Sequence, residues 1–337
     1  MKPTDFSKSL TDFLSKYLPG ERGMSTNTIQ SYKTTFILFI TFMESEIGIP
    51  VTKLNLKEIT QEQVVKFLNW LQTKRKCSNS SRNVRLAAFH SFTRYLQYSM
   101  PESLYEWQRI LAIRMKRSHK KSINYLTVDG IRLLLEQPNQ ATMGGRRDLA
   151  MLALMYDCAA RVQEIIDLTP VMVRLNNPPT IKLIGKGNKA RIVPLLNKQT
   201  VHIERYMREH DLLNDHANLY PLFSNYRKEK LTRAGVAHIL KKYLDAARLE
   251  SPKLIPETVS CHSLRHSKAM HLLQNGTNLV YIRDILGHAS VQTTEVYARA
   301  DSMQKREAIE KAYVGLVKDE SASWMANDDL LSWLKNL

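Results

Sequence analysis

The chain has 337 residues, more than one domain usually holds, so two domains are expected. Its 43% hydrophobic and 24% charged residues are those of a soluble globular protein and exclude a disordered or fibrous chain. Charge is the outlier: 49 Lys+Arg against 32 Asp+Glu give +17, which points to a polyanionic partner, nucleic acid rather than a membrane surface.

The longest apolar run, Phe36-Ile37-Leu38-Phe39-Ile40, is far too short to cross a bilayer, and Met1-Lys2-Pro3-Thr4-Asp5 opens no signal-peptide core. Cys77, Cys158 and Cys261 are scattered and odd in number, which suits a reduced, cytoplasmic setting and small buried hydrophobes.

In chain order, residues 1–113 read as helix after helix. Phe6, Leu10, Phe13, Leu14 and Leu18 form an apolar stripe expected to stop at Pro19-Gly20. A second stripe runs through Thr26–Glu46. A third follows Thr60, a predicted N-cap with Gln63 three residues on, and includes Val64, Phe67, Leu68 and Leu71. Val84, Leu86, Phe89, Phe92 and Leu96 mark a fourth helix. No strand alternation interrupts them, so a small helical bundle is predicted.

Residues 114–124 contain Arg114, Lys116, Arg117, Lys120 and Lys121 without apolar periodicity, and read as a basic interdomain linker that also lies on phosphates. Residues 1–120 hold 19 Lys+Arg and 9 Asp+Glu, the remainder 30 and 23, so the helical part is the more basic per residue. That bias suits a domain that grips a duplex. Lys74, Arg75, Lys76 and Arg82, with Lys116, Arg117, Lys120 and Lys121, are the candidate DNA contacts.

From residue 125 to 323 the pattern is mixed. Thr127 is expected to cap a helix through Leu135, and the apolar stretch Asp148–Tyr156 leads into Arg161. Thr180–Ile184 and Arg191–Leu195 read as short strands around the turn Gly185-Lys186-Gly187-Asn188-Lys189. Helices resume near Thr200–His210, Thr232–Ala247, His262–Gln274 and Leu279–Leu286. The expected fold is therefore mainly α with a small β-sheet. Residues 324–337 are a short amphipathic segment. The stretch from Asp319 to Leu337 holds four acids and one base, a charge that argues against DNA and for a protein groove.

The chemistry-bearing residues are Arg161, Lys186, His262, Arg265, His288 and Tyr297. A phenol, two guanidiniums, an ammonium and two imidazoles are the groups that break a phosphodiester without a metal. Tyr297 is the expected nucleophile, and its phosphate ester conserves the energy of the broken bond, so rejoining needs no ATP. Arg161 and Arg265 offer forks to the non-bridging oxygens. His262, three residues before Arg265 on the same helix face, either accepts the tyrosine proton or bonds a phosphate oxygen. His288 is a further phosphate donor. Lys186, at a hairpin tip, is the expected general acid for the leaving 5′-oxygen, with Lys189 a close rival. His262 and His266 have a metal-ligand spacing, but Ser263 stands where a zinc protease has Glu, so no metal and no cofactor are expected, and His266 reads as structural.

Arg161 with Glu164, the span Gly185–Arg191, His262-Ser263-Leu264-Arg265-His266, and Leu286-Gly287-His288 followed by Thr293-Thr294 and Tyr297 resemble the motifs of the tyrosine recombinase (phage integrase) family. The resemblance covers essentially the whole chain and is similar to Xer-type and to integron or transposon integrases. It implies a SAM-like N-terminal core-binding domain and a mixed α/β catalytic domain. It also implies cleavage and rejoining of double-stranded DNA sites through a 3′-phosphotyrosine and a Holliday junction. A tetramer on two sites, a possible helper or partner recombinase, and docking of residues 324–337 on a neighbouring subunit belong to the same implication. One departure is the run Cys158-Ala159-Ala160 before Arg161, where the family has Thr-Gly-Leu or Thr-Gly-Met. Gln163 also departs, standing where the family has Ser. A type IB topoisomerase-like relaxing enzyme and a catalytically silent DNA-binding regulator are the alternatives.

Overall fold

The computed structural model describes residues 3–118, 123–185, 187–300 and 334–335. The chain divides into two compact units, Met1–Lys121 and Ser122–Leu337.

The first unit is all helical: α1 Asp5–Asp12, α2 Thr26–Phe42, α3 Gln61–Thr73, α4 Asn79–Ser99 and α5 Leu104–Leu111. Side-chain caps start most of them; Thr60 accepts from the Gln63 amide, as its spacing predicts. The stripe residues converge on an aromatic core, with Phe36 against Phe92 and Phe39 against Phe89, both at 5.0 Å between ring centroids. Truncating one such ring to Ala typically costs about 3–5 kcal/mol.

Pro19 does not end the first helix. The chain widens into a π-helical stretch over Phe13–Glu21, which carries Pro19 within it. Helix α5, a fifth helix beyond the four stripes singled out in the sequence, buries Trp107 and Ile110 in the same core. Two further differences concern the basic residues. Asn79 and Asn83 donate to the Arg117 and Lys116 carbonyls, both at 2.8 Å, so the start of the expected linker is tied to α4. Arg82 is only 5% exposed and its Nη1 approaches the Arg114 carbonyl, so its guanidinium belongs to the interior of the unit, not to a phosphate-facing surface.

The second unit comprises α6 Val128–Glu136, α7 Met143–Asp157, α8 Val162–Ile166, α9 Asn197–Glu209, α10 Arg233–Glu250, α11 Cys261–Gln274, α12 Leu279–Leu286 and α13 Glu295–Ala300. The sheet is antiparallel in the order β1 (Val173–Arg174), β2 (Thr180–Ile184), β3 (Ala190–Pro194). Its register pairs Val173 with Ile181 and Ile184 with Ala190. Helix α7 is buried all round, from Leu149 to Met155, and is the centre of this unit, as a helix apolar on every face must be. It packs against α9 and α11. Among the described residues no helix is long and apolar enough to cross a membrane.

Candidate active site

The end of α7 sets the first arginine. The Ala160 amide bonds to the Met155 carbonyl and the Ala159 amide to the Tyr156 carbonyl, at 3.1 and 3.0 Å. This is a Schellman closure with Ala159 in the left-handed position, φ 47°. Glycine is favoured there because it has no Cβ to clash. Ala at this point, where the family has Gly, thus carries strain on the order of 1–2 kcal/mol. The backbone then extends, and Arg161 becomes the N-cap residue of α8.

Glu164, one turn on, is the hub of the site. It is 4% exposed and accepts the Arg161 amide (2.8 Å), Arg161 Nη1 (2.7 Å), and Arg191 Nη1 and Nη2 (2.9 and 2.7 Å). Burial raises its pKa, but Arg191 and Arg161 outweigh burial and hold the carboxyl below the usual carboxylate range. Arg191 Nε also donates to the Ile285 carbonyl at 2.8 Å, clipping β3 to the end of α12. There Gly287 is left-handed (φ 61°), and a Cβ would lie 3.0 Å from Arg191 Cδ, so both the backbone and the close approach favour glycine. The turn delivers His288, whose Nδ1 lies 2.9 Å from Thr294 Oγ1.

Arg265 projects from α11 into the same region and is 1% exposed. It donates to the carbonyls of Ala159 (2.8 Å) and Leu286 (2.5 Å), and its Nε has no partner among the described residues. Burial, reinforced by the Arg161 charge, lowers its pKa to about 9. Among the described residues no carboxylate touches it. Three guanidiniums (Arg161, Arg191, Arg265) therefore gather around one carboxylate, Glu164, with Arg265 buried and Arg161 partly open to solvent. Such a charge excess favours an anion.

His262 feels this field too: burial, then Arg265 and Arg161, lower its pKa. Burial and the same two arginines bring His288 down to about 4, with Arg191 and His262 adding to the effect. Both imidazoles are neutral near pH 7. The His262 ring meets that of His266 edge-on at 4.4 Å. Tyr297, from α13, is 2% exposed, and its hydroxyl lies 2.9 Å from His266 Nδ1. Burial raises the phenol pKa, while Arg265 and Arg161 pull it back.

The expected residues Arg161, His262, Arg265, His288 and Tyr297 thus come together. Lys186 lies outside the described residues, as do Lys120 and Lys121. Its neighbours Gly185, Gly187 and Lys189 line a cleft of about 780 Å³ with Arg161, Arg191 and His288. Among the described residues no group of three or more His, Cys, Asp or Glu is gathered to hold a metal ion.

Sequence reasoning missed the parts played by Arg191 and His266. Arg191 lies in a strand next to Ile192, and only the fold turns the arginine inward and leaves the isoleucine 70% exposed. His266 was expected to be a satisfied structural histidine, and the partner that satisfies it is the Tyr297 hydroxyl. Its place one residue after Arg265 carried no signal of that.

Both the fold and this constellation are those of a DNA strand-transferring enzyme class, and the chain belongs to the phage integrase (tyrosine recombinase) family. The family's catalytic region matches residues 124–304 and its N-terminal SAM-like domain matches residues 10–98. A putative integrase/recombinase of Sinorhizobium fredii is 34% identical over 100% of this chain and 99% of its own length. The tyrosine recombinase XerD of Listeria monocytogenes is 30% identical over 88% of this chain and 96% of its own. Among solved structures, the post-cleavage complex of the XerH site-specific recombinase with a palindromic difH substrate has the same fold. It superposes with TM-score 0.69 at 22% identity, over 86% of this chain and 81% of that one.

Proposed function

We propose that this tyrosine recombinase cuts and rejoins double-stranded DNA at specific sites through a 3′-phosphotyrosine and a Holliday junction, as a tetramer on two sites. It would serve a mobile element or resolve DNA. The carrying observation is the Tyr297 hydroxyl, buried beside a centre in which three guanidiniums gather around one carboxylate. Attack by the phenol adds negative charge to the phosphate, and groups already fixed in place stabilise that charge without reorganising. Arg161 and Arg265 take the non-bridging oxygens, with His262 and His288 as neutral donors. Lys186 protonates the leaving 5′-oxygen. The relatives named as integrases and recombinases, and the XerH complex with its difH substrate, support DNA as the partner.

The gripping surface is the basic end of the helical unit. Lys74, Arg75 and Lys76 follow α3 and are exposed, and Lys116 Nζ reaches Gln72 on that helix at 2.6 Å. Arg117 lies beside Lys116 and is also exposed.

The test is covalent capture. The wild-type chain is mixed with a randomised pool of nicked duplexes, in which the cleaved fragment escapes and religation is prevented, and covalently held duplexes are recovered. Tyr297→Phe removes only the attacking oxygen and should bind the recovered duplex while forming no covalent complex. Capture by Tyr297→Phe at the wild-type rate would move the nucleophile elsewhere.

A further inference from the structure

We propose that His266 Nδ1 takes the proton from Tyr297 Oη as that oxygen attacks phosphorus, leaving His262 to the phosphate. This rests on Tyr297 being the nucleophile. The geometry separates the two imidazoles. His266 Nδ1 lies 2.9 Å from the phenol oxygen, a hydrogen-bond distance, whereas His262 makes no such bond and sits in the field of Arg161 and Arg265. With its proton on Nε2, the neutral His266 ring presents the Nδ1 lone pair to the phenol O–H.

The groups acting on His266 hold it neutral. Burial first, then His262 and Arg265 on its own helix, lower its pKa to about 4, and Tyr297 from α13 is uncharged while protonated. Burial raises the phenol's own pKa while it lowers the imidazole's, so at rest the proton stays on tyrosine. Attack reverses that order. As Oη–P forms, the phenolic oxygen becomes an oxonium-like ester oxygen and its proton falls to the waiting nitrogen. An anionic phosphodiester nearby also raises imidazole basicity.

The step balances: Oη–P forms, P–O5′ breaks, the Oη proton goes to His266 Nδ1, and the 5′-oxygen receives a proton from Lys186. In rejoining, His266 returns its proton to the departing phenol.

Two substitutions separate positioning from proton transfer. Asn at 266 puts an accepting Oδ1 near the place of Nδ1 but is not basic; Phe has neither property. On the recovered duplex, His266→Asn should bind normally and cleave about 10²–10⁴-fold more slowly, the usual range for a general base. His266→Phe should be no faster. A fluorinated tyrosine at 297 ionises more readily and depends less on a base, so it should recover most of the His266→Asn defect. An unaltered cleavage rate in His266→Asn overturns the proposal. So does a defect of undiminished size with the fluorinated phenol, since a merely structural histidine would not respond to phenol acidity. Capture by Tyr297→Phe would instead sink the nucleophile assignment itself.

Discussion

Replacing Glu164 by Gln tests the electrostatic account of the site. Each carboxylate oxygen accepts two hydrogen bonds: Oε1 from Arg161 Nη1 and Arg191 Nη1, Oε2 from the Arg161 amide and Arg191 Nη2. Whichever way the Gln amide turns, its NH2 faces two donors, so two charge-assisted bonds disappear and the guanidiniums lose the one carboxylate that they contact among the described residues. Two such bonds are worth about 3 kcal/mol at the lower end, and breaking a buried ion pair costs about 3–5 kcal/mol. A unit of this size loses about 2–4 °C per kcal/mol, so the transition of the C-terminal unit should fall by about 6–20 °C in a calorimetric scan. Linkage supplies a second reading. Because the folded-state pKa of Glu164 lies below the unfolded value, its contribution is present above the ordinary Glu pKa of about 4.3. It is lost as pH falls through the lower folded value. Stability of the wild type should drop across that acid window, and Glu164→Gln should lack that component. A thermal transition within about 2 °C of wild type, together with an unchanged acid profile, would refute the reasoning.

Lys186→Ala should cripple cleavage of an ordinary phosphodiester and be rescued by a 5′-bridging phosphorothiolate, whose thiolate leaves without a proton; rescue of Lys189→Ala instead would reassign the general acid. Neutralising Lys116, Arg117, Lys120 and Lys121 should lower the salt slope of duplex binding, by up to about 0.9 for each phosphate that is no longer neutralised, and an unchanged slope would mean these residues do not touch phosphate. Deleting residues 324–337, which apart from Leu334 and Lys335 lie outside the described structure, should leave binding to one site intact and impair pairing of two sites; normal two-site recombination by the truncated chain would remove the docking role.

Local chemistry decided much of this protein before any fold was known. Caps such as Thr60 and Thr127 act within one turn, and an apolar stripe needs only a period, so the principal helices and the β2–β3 hairpin were readable from residue order. The motif residues were readable too, because a phosphodiester demands a phenol and guanidiniums whatever scaffold carries them. Neighbours distant in sequence were not readable. Helix α5 is held by a core assembled from α3 and α4, and Pro19 is absorbed by a π-helical widening that local propensity disfavours.

The same limit applies to single side chains. Arg82 and Arg191 are each a basic residue in a polar-looking stretch. Burial against the Arg114 carbonyl withdraws the first, while Glu164, 27 positions upstream, gives the second its purpose. His262 and His266 have identical side chains four residues apart, and their order in the chain carries no information about which meets the phenol. Helix α13 delivers Tyr297 to His266 across 31 positions, and only three-dimensional packing chooses between two imidazoles on one helix.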